Sequence, residues 1–328
     1  MRYAQVIIVG GGPAGSACGW KLGQQGIDSL ILDKQEFPRT KLCAGWITPQ
    51  VIDDLKIDIE EYPHSLTTFH EFRVHIYGRE LKLPVNQYAI RRHEFDHWLL
   101  KRCGVPVETH EVADIQRDGE YYVIDDTYYC RYLVGAGGTH CPVYRTLFRH
   151  RTPRARELSI VTLEAEFPYD YHDGNCHLWF LQNRLPGYSW YVPKSTGYVN
   201  IGIGGFSEKL KANNDTINKQ WDLFVKELER LSLVTDHRCN AGGYVYYIRD
   251  SMDRVHDDRA YIIGDAAGLA TRDMGEGIGP AVRSGILAAD AIASGKPLSV
   301  SPIKKYSFPR YKTGIKLFIA YLGSGLTY

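Results

Sequence analysis

The sequence predicts an α/β fold in which a parallel sheet of nucleotide-binding type is interrupted by an inserted antiparallel β-sheet. Three observations predict it. Val6-Ile7-Ile8-Val9 is a continuous β-branched run, as a strand buried on both faces requires, and it leads directly into Gly10-Gly11-Gly12-Pro13-Ala14-Gly15. Residues 158–206 then change character, becoming successive short strands separated by turns. Finally, Ala260-Tyr261-Ile262-Ile263 returns to the buried-strand pattern and ends in Gly264-Asp265-Ala266-Ala267-Gly268.

The elements follow in chain order. Gly10, Gly12 and Gly15 stand at G-x-G-x-x-G spacing: the first allows the tight turn and the second lets a pyrophosphate approach the backbone. The third lets the next helix pack closely on the strand. That helix start, with Pro13 and Ala14 in its first turn, carries unpaired N–H groups and partial positive charge, so an anion is stabilised there. Leu30-Ile31-Leu32 is a second strand, and Asp33 at its end, with Lys34 beside it, is placed to accept from a ribose hydroxyl. The glycine motif alone is a weak signal. Strand, helix, second strand and acid together define a Rossmann-like dinucleotide site. Residues 34–50 form a connection marked by Pro and Gly and carrying Arg39, Lys41 and Cys43. Residues 66–90 alternate as strands around Gly78, and residues 92–103 form a helix with Phe95, Leu99 and Cys103 on one face. Short strands fill residues 105–135 and end in Gly135-Ala136-Gly137-Gly138. In the insertion, strands are expected at 158–167, 176–181, 188–193 and 198–203, then an amphipathic helix over 216–231 with Trp221, Phe224 and Leu228 buried. A last helix runs from Pro280 to a stop at Gly295 and Pro297. The nucleotide domain is therefore discontinuous (1–65, 91–150 and 250–300). A second domain comprises 66–90 and 151–249, and 301–328 form a short C-terminal helical segment whose apolar run 317–322 is either a buried terminal helix or lies on a membrane surface.

Composition narrows the function. The 328 residues are 44% hydrophobic and 23% charged, ordinary for a globular protein. With 39 basic and 38 acidic residues the net charge is +1, so no global field favours nucleic acid. The 23 tyrosines suit the wall of a large organic-ligand pocket or a β-rich core alike. Seven cysteines show neither a C-x-x-C pair nor zinc spacing, so no metal site is expected. An odd cysteine count, with the first strand starting at once and no leader, fits reduced thiols in the cytoplasm. No apolar run reaches the ~18 residues a membrane span needs.

Three blocks together resemble the FAD-dependent oxidoreductases of the aromatic-hydroxylase superfamily: the glycine start, the 133–138 strand-turn with Gly137, and Gly264-Asp265 with its glycine-rich sequel. The resemblance implies an FAD-binding domain of the GR2 type. It places Asp265 on the ribityl and pyrophosphate part of FAD, and Arg92, in Arg92-x-x-Phe95-Asp96, reaching the cofactor from a helix start. Within the superfamily the chain resembles the geranylgeranyl reductase subgroup. Lys41-Leu42-Cys43-Ala44-Gly45 is similar to a Lys-x-Cys-Gly-Gly segment lying against the flavin, with Ala44 replacing a glycine. Gly187-Tyr188-Ser189-Trp190-Tyr191-Val192-Pro193-Lys194 is similar to that group's Gly-Tyr-x-Trp-x-Phe-Pro-Lys strand. Gly275-Glu276-Gly277-Ile278 is similar to its helix start beneath the flavin pyrimidine.

The implied activity is hydride transfer from FADH2 to a C=C bond of a hydrophobic, isoprenoid-like substrate. The protein supplies position, electrostatics and one proton donor. Glycines 275, 277 and 279 allow the backbone to approach a planar ring, and the helix start after them offers N–H groups to flavin N1 and O2. The candidate catalytic residues are Cys43, Tyr188 and Trp190. Cys43 is either a small buried hydrophobe, a group that contacts the ring and tunes it or gives a proton, or half of a transient disulfide. Tyr188 and Trp190, two apart, share one strand face and either roof the flavin or fill the sheet core. His140 and Cys141 are expected to be structural. Two other functions compete. One is a flavin monooxygenase or halogenase, because residues 187–193 also resemble a Gly-Trp-x-Trp-x-Ile-Pro strand with Tyr188 in place of the first tryptophan. The other is a flavoprotein that modifies a protein partner. The single glycine fingerprint is taken by FAD, so NAD(P)H or a ferredoxin is expected only as a transient electron donor. A lipid substrate would bring peripheral membrane contact.

Overall fold

The computed structural model describes residues 1–235, 237, 239–250 and 254–307. The apolar first run forms β1 (Arg2–Val9), followed by α1 (Pro13–Gln24) and β2 (Ser29–Asp33). The connection after β2 holds two elements that the sequence pattern did not announce, β3 (Trp46–Ile47) and α2 (Pro49–Leu55). Next come the paired strands β4 (Thr67–Ile76) and β5 (Arg79–Ala89), then α3 (Arg92–Arg102). Four short strands follow: β6 (Val107–Thr109), β7 (Ile115–Asp118), β8 (Tyr121–Ile124) and β9 (Tyr128–Gly135). The insertion contributes β10 (Ser159–Pro168), β11 (Cys176–Phe180), β12 (Gly187–Lys194) and β13 (Tyr198–Phe206), then α4 (Ser207–Ala212) and α5 (Ile217–Arg230). The chain returns through β14 (Gly242–Tyr247), β15 (His256–Asp257) and β16 (Ala260–Ile262), and α6 runs over Ile278–Ser294.

The first sheet has the order β15-β16-β9-β1-β2-β6, with β8 and β7 attached beyond β9. Strands β16, β9, β1, β2 and β6 are parallel, and β1, β2 and β9 are nearly all buried, which explains their continuous apolar runs. The chain leaves β1 for β2 on one side and returns to β9 on the other. Strand order reverses there, and the crevice beyond the carboxyl ends of such strands is where ligands bind in open α/β sheets. This topology carries Gly10, Asp33, Gly135 and Gly264, far apart in sequence, to a single edge. Two glycines make the packing possible. Gly10 has φ +115°, a conformation closed to residues with a side chain, and a methyl group on Gly15 would run into the Gly10 carbonyl.

The second sheet has the order β14-β10-β13-β12-β11-β4-β5-β3. It is antiparallel except at one join, where β11 pairs parallel with β4 and Trp179 stands opposite His75. Only a short hairpin enforces antiparallel pairing; β4 and β11 are separated in sequence by β5, α3 and β6 to β10, and no such constraint acts on them. One face is covered by α5, whose Trp221, Phe224 and Leu228 enter a core with Trp179, Tyr191 and Ile201. Thr216 caps that helix by accepting from the Lys219 N–H at 3.2 Å. The opposite face roofs the crevice of the first sheet.

The last helix begins two residues before the expected Pro280. Of the expected C-terminal helical segment, residues 301–307 form turns and bends without helix, and 308–328, including the run 317–322, lie outside the described residues. Among the described residues no helix is long and apolar enough to cross a membrane.

Candidate active site

A cavity of about 780 Å³ opens between the crevice of the first sheet and the roof of the second. Its first half is the nucleotide end. Gly10, Gly12, Pro13 and Ala14 line it at the start of α1, and no side chain caps that helix. No side chain takes the first-turn N–H groups, which a helix start leaves without an intrahelical partner, the arrangement that stabilises an anion. A side chain at Gly12 would meet only the Arg39 guanidinium, at 3.4 Å. Asp33 holds the turn from below, its carboxylate accepting from the Gly11 N–H at 2.7 Å and the Gln35 N–H at 2.9 Å. A carboxylate has about four acceptor sites, so capacity remains for a hydroxyl, and Asp33 and Lys34 both border the cavity.

Two further turns close the middle of the cavity. Gly137 follows β9 and Asp265 follows β16, and both line it. Arg154 joins these turns by donating to the carbonyls of Thr139 at 2.6 Å and Ala266 at 2.8 Å. Arg92, at the start of α3, is buried and donates to both carboxylate oxygens of Asp96 at 2.7 Å. Burial works against its charge and Asp96 more than offsets this, so a fixed cation borders the cavity.

The other half is broad, aromatic and low in polarity. Lys41, Cys43, Ala44 and Trp46 form one wall, Tyr188 and Trp190 of β12 the roof, Tyr244 and Tyr246 of β14 a third side, and Gly275, Gly277 and Ile278 the floor. Trp46 and Tyr188 stack with ring centres 6.4 Å apart, and Tyr188 lies 5.6 Å from Trp190. The polar atoms of the roof are committed. The Tyr188 hydroxyl donates to the Met274 carbonyl at 2.6 Å, and the Trp190 N–H donates to Asn200 at 2.7 Å. Burial pushes the Tyr188 hydroxyl pKa well up, so both residues act as walls. The Cys43 thiol accepts from the Gly45 N–H at 3.3 Å. Lys41 lies 3.0 Å from the Tyr244 ring centre, and burial, reinforced by Arg92, pushes its pKa down to about 8.

Most of the sequence-predicted residues meet in this cavity. Two do not line it: Gly15 is packed on Gly10, and Gly264 is packed between Ala14 and Ala281, with its N–H donated to Ser284 at 2.9 Å. The start of α6 also differs from the bare helix end expected. Glu276 folds back so that its carboxylate accepts from the Gly279 N–H. Burial pushes its pKa up to about 7, the helix N–H pulling the other way. Sequence reasoning missed four residues that border the cavity: Glu164 in a segment read only as a strand, Trp46 in one read as a connection, and Tyr244 and Tyr246 in one given no element. It also missed the buried Lys194, whose ammonium donates to the carbonyls of Ala44 and Ile90, the latter at 2.8 Å.

This fold and cavity define a Rossmann-like dinucleotide-binding protein. The bare start of α1, the acid at the end of β2 and the two glycine turns fit FAD, whose pyrophosphate and ribose they would hold. Comparison with known proteins agrees. Residues 8–77 match the NAD(P)-binding Rossmann-like domain. The chain is 27% identical to digeranylgeranylglycerophospholipid reductase 1 of Methanopyrus kandleri, over 92% of this chain and 84% of that protein. It is 26% identical to menaquinone reductase of Mycolicibacterium smegmatis, over 89% and 77%. A geranylgeranyl bacteriochlorophyll reductase-like protein from Thermoplasma acidophilum superposes with a TM-score of 0.75 at 20% identity, covering 92% of this chain and 82% of that one. A flavin-dependent halogenase shares the fold with a TM-score of 0.68 at 19% identity, over 90% and 58%. Over about nine-tenths of its length the chain is thus similar to proteins named as reductases, and it shares its fold with a geranylgeranyl reductase-like protein.

Proposed function

We propose that this oxidoreductase reduces a C=C bond of a hydrophobic, isoprenoid-bearing substrate. The observation that carries the reading is the continuity of the nucleotide crevice with an apolar chamber walled by Trp46, Phe180, Leu181, Tyr188 and Trp190. Burial supplies about 0.8 kcal/mol per methylene, so such a chamber retains a long alkene without many polar contacts. The names of the relatives, reductases of isoprenoid lipids and of a quinone, support the same substrate class.

In this reading FAD, when bound, supplies the hydride. The chain's own residues do the rest. Gly10, Gly12, Pro13, Ala14, Gly15 and Asp33 orient the dinucleotide, helped by Lys34, Gly137, Gly264 and Asp265. Lys41, Cys43, Ala44, Arg92, Gly275, Gly277 and Ile278 surround the ring, and Tyr188 and Trp190 exclude water above it. NAD(P)H or a redox partner protein such as a ferredoxin would deliver electrons transiently, and contact with a membrane surface would deliver a lipid.

A second reading, oxygenase or halogenase chemistry, draws on the fold shared with the halogenase. One anaerobic experiment separates the two. The flavin is reduced photochemically, a geranylgeranyl compound or a quinone with an isoprenoid tail is added, and flavin reoxidation is followed with product mass. Reoxidation with a gain of two hydrogens is expected. Reoxidation only on admitting oxygen, with an oxygen atom in the product, would replace the reductase reading.

A further inference from the structure

We propose that Glu164 is the proton source of the reduction, giving its carboxyl proton to the substrate carbon next to the one that takes the hydride. This rests on the reductase reading above. Glu164 projects from β10 into the cavity yet is only 3% exposed. Its Oε1 is shut off from solvent and has no hydrogen-bond partner. An ionised carboxylate left in that state is far more costly than a neutral carboxylic acid. The neighbouring strand β13 presents Gly202 here, and the Trp190 indole fills the space beside it, so acid and aromatic roof are adjacent.

The charged and titratable groups facing Glu164 come from every element packed around it. They are Lys41 from the loop after β2, Lys194 from β12, Arg92 from α3, Tyr246 from β14 and Glu166 from its own strand. No cation among the described residues stands within ion-pair distance. Burial pushes the Glu164 pKa up to about 8, with Lys41 and Lys194 pulling part of the way back. The acid therefore holds its proton at neutral pH and stands near the pKa at which general acids work best. Three other donors on the cavity wall are engaged: Tyr188 with Met274, Trp190 with Asn200, Arg92 with Asp96.

The step balances. The π bond breaks; one carbon gains a hydride from the reduced flavin and its neighbour gains the Glu164 proton, forming two C–H bonds. FAD, held by the residues named above, would supply the hydride and with it the two electrons that the alkene gains. Glu164 is left as a carboxylate facing two lysines and regains a proton from water.

The test uses the FAD-loaded wild type and Glu164→Gln, which keeps shape and loses the acid. Anaerobic reoxidation of the reduced flavin by geranylgeranyl diphosphate or menaquinone should slow by about 100-fold or more in the variant, with the flavin spectrum and FAD affinity unchanged. The wild-type rate should fall as pH rises through about 8, and the variant should lack that limb. Infrared spectra give a readout independent of turnover. The wild type at pH 7 should show a protonated-carboxyl carbonyl stretch that shifts in D2O, fades on titration through about 8 and is absent from Glu164→Gln. A wild type that leaves these alkenes unreduced overturns the reductase reading and this step with it. A wild type that turns over beside an equally fast variant overturns the role of Glu164 alone, as does absence of the infrared band at pH 7. Should the glutamine variant fail to hold flavin, the wild-type pH limb and infrared titration decide the matter.

Discussion

Two helices begin at the same cavity from glycine-rich turns, and they treat their unpaired N–H groups differently. Helix α1 starts bare: its N-cap is Gly12, its first residue is Pro13, and no side chain reaches back to it. Helix α6 starts with a carboxylate already in place, because Glu276 accepts from the Gly279 N–H. The positive end of α1 is thus left for an anion from outside the protein, whereas that of α6 is partly met from within. The lesson is that a glycine-rich helix start does not by itself define an anion site. At α1 the missing cap makes it one. At α6 the glycines leave room for close approach, and a ring bound there would meet shape and the Gly277 and Ile278 backbone more than the full dipole.

The largest effect should come from destroying the bare start. Gly15→Val drives a side chain into the Gly10 carbonyl and should abolish FAD binding, read as a colourless purified protein that does not take up FAD; retained affinity would show that the turn tolerates displacement. Asp33→Ala tests the acid beneath the same turn. FAD should bind roughly 1.5–3 kcal/mol more weakly, the range for a hydrogen bond involving a charged group, by calorimetric titration. Asp265→Ala should also lower FAD affinity while circular dichroism shows the fold intact.

Glu276→Gln probes the other helix start, and the sign can be worked out. The folded-state pKa of Glu276 is raised to about 7 from an ordinary carboxyl value, so the native state binds a proton more tightly than the unfolded chain. The resulting stability is fully present below the unfolded pKa and is lost as pH rises through about 7. The variant keeps an acceptor for Gly279 and loses the titration. Its thermal midpoint relative to wild type should therefore rise between pH 5 and 8, by the equivalent of about 1–3 kcal/mol, with little change in FAD affinity. A constant difference across that pH range would show that Glu276 does not titrate there. The smallest binding effect is expected from Cys43→Ser, which should alter turnover several-fold and leave the FAD dissociation constant within about threefold, since a single neutral hydrogen bond contributes little.

The α1 start was legible because each part of it is local: a β-branched run, glycines at fixed offsets, and an acid at the end of the next apolar run. Strand β10 shows where locality fails. In Thr162-Leu163-Glu164-Ala165-Glu166 the alternation suggests a half-buried strand with its acids in water. Both faces are in fact covered, one by α5 and the other by the nucleotide crevice, and Glu164 is enclosed by residues from distant parts of the chain. The parallel join of β4 to β11 is non-local in the same way. The internal cap of α6 spans only three residues, but it needs a particular rotamer of Glu276, which residue type alone does not fix.

Lys194 has a consequence of a different kind. It leaves the roof strand β12 and ends on the carbonyls of Ala44 and Ile90, one in the loop that borders the cavity and the other just before the helix that begins with Arg92. An ammonium enclosed among main-chain oxygens has no second place to go, and those oxygens belong to the other sheet's connections. The roof is consequently not a detachable module. A roof transplanted onto a related flavoprotein would bring an ammonium without its acceptors unless residues 44–45 and 90 travelled with it. Substrate preference in a chain built this way is expected to drift by replacement of individual wall residues and not by exchange of whole sheets.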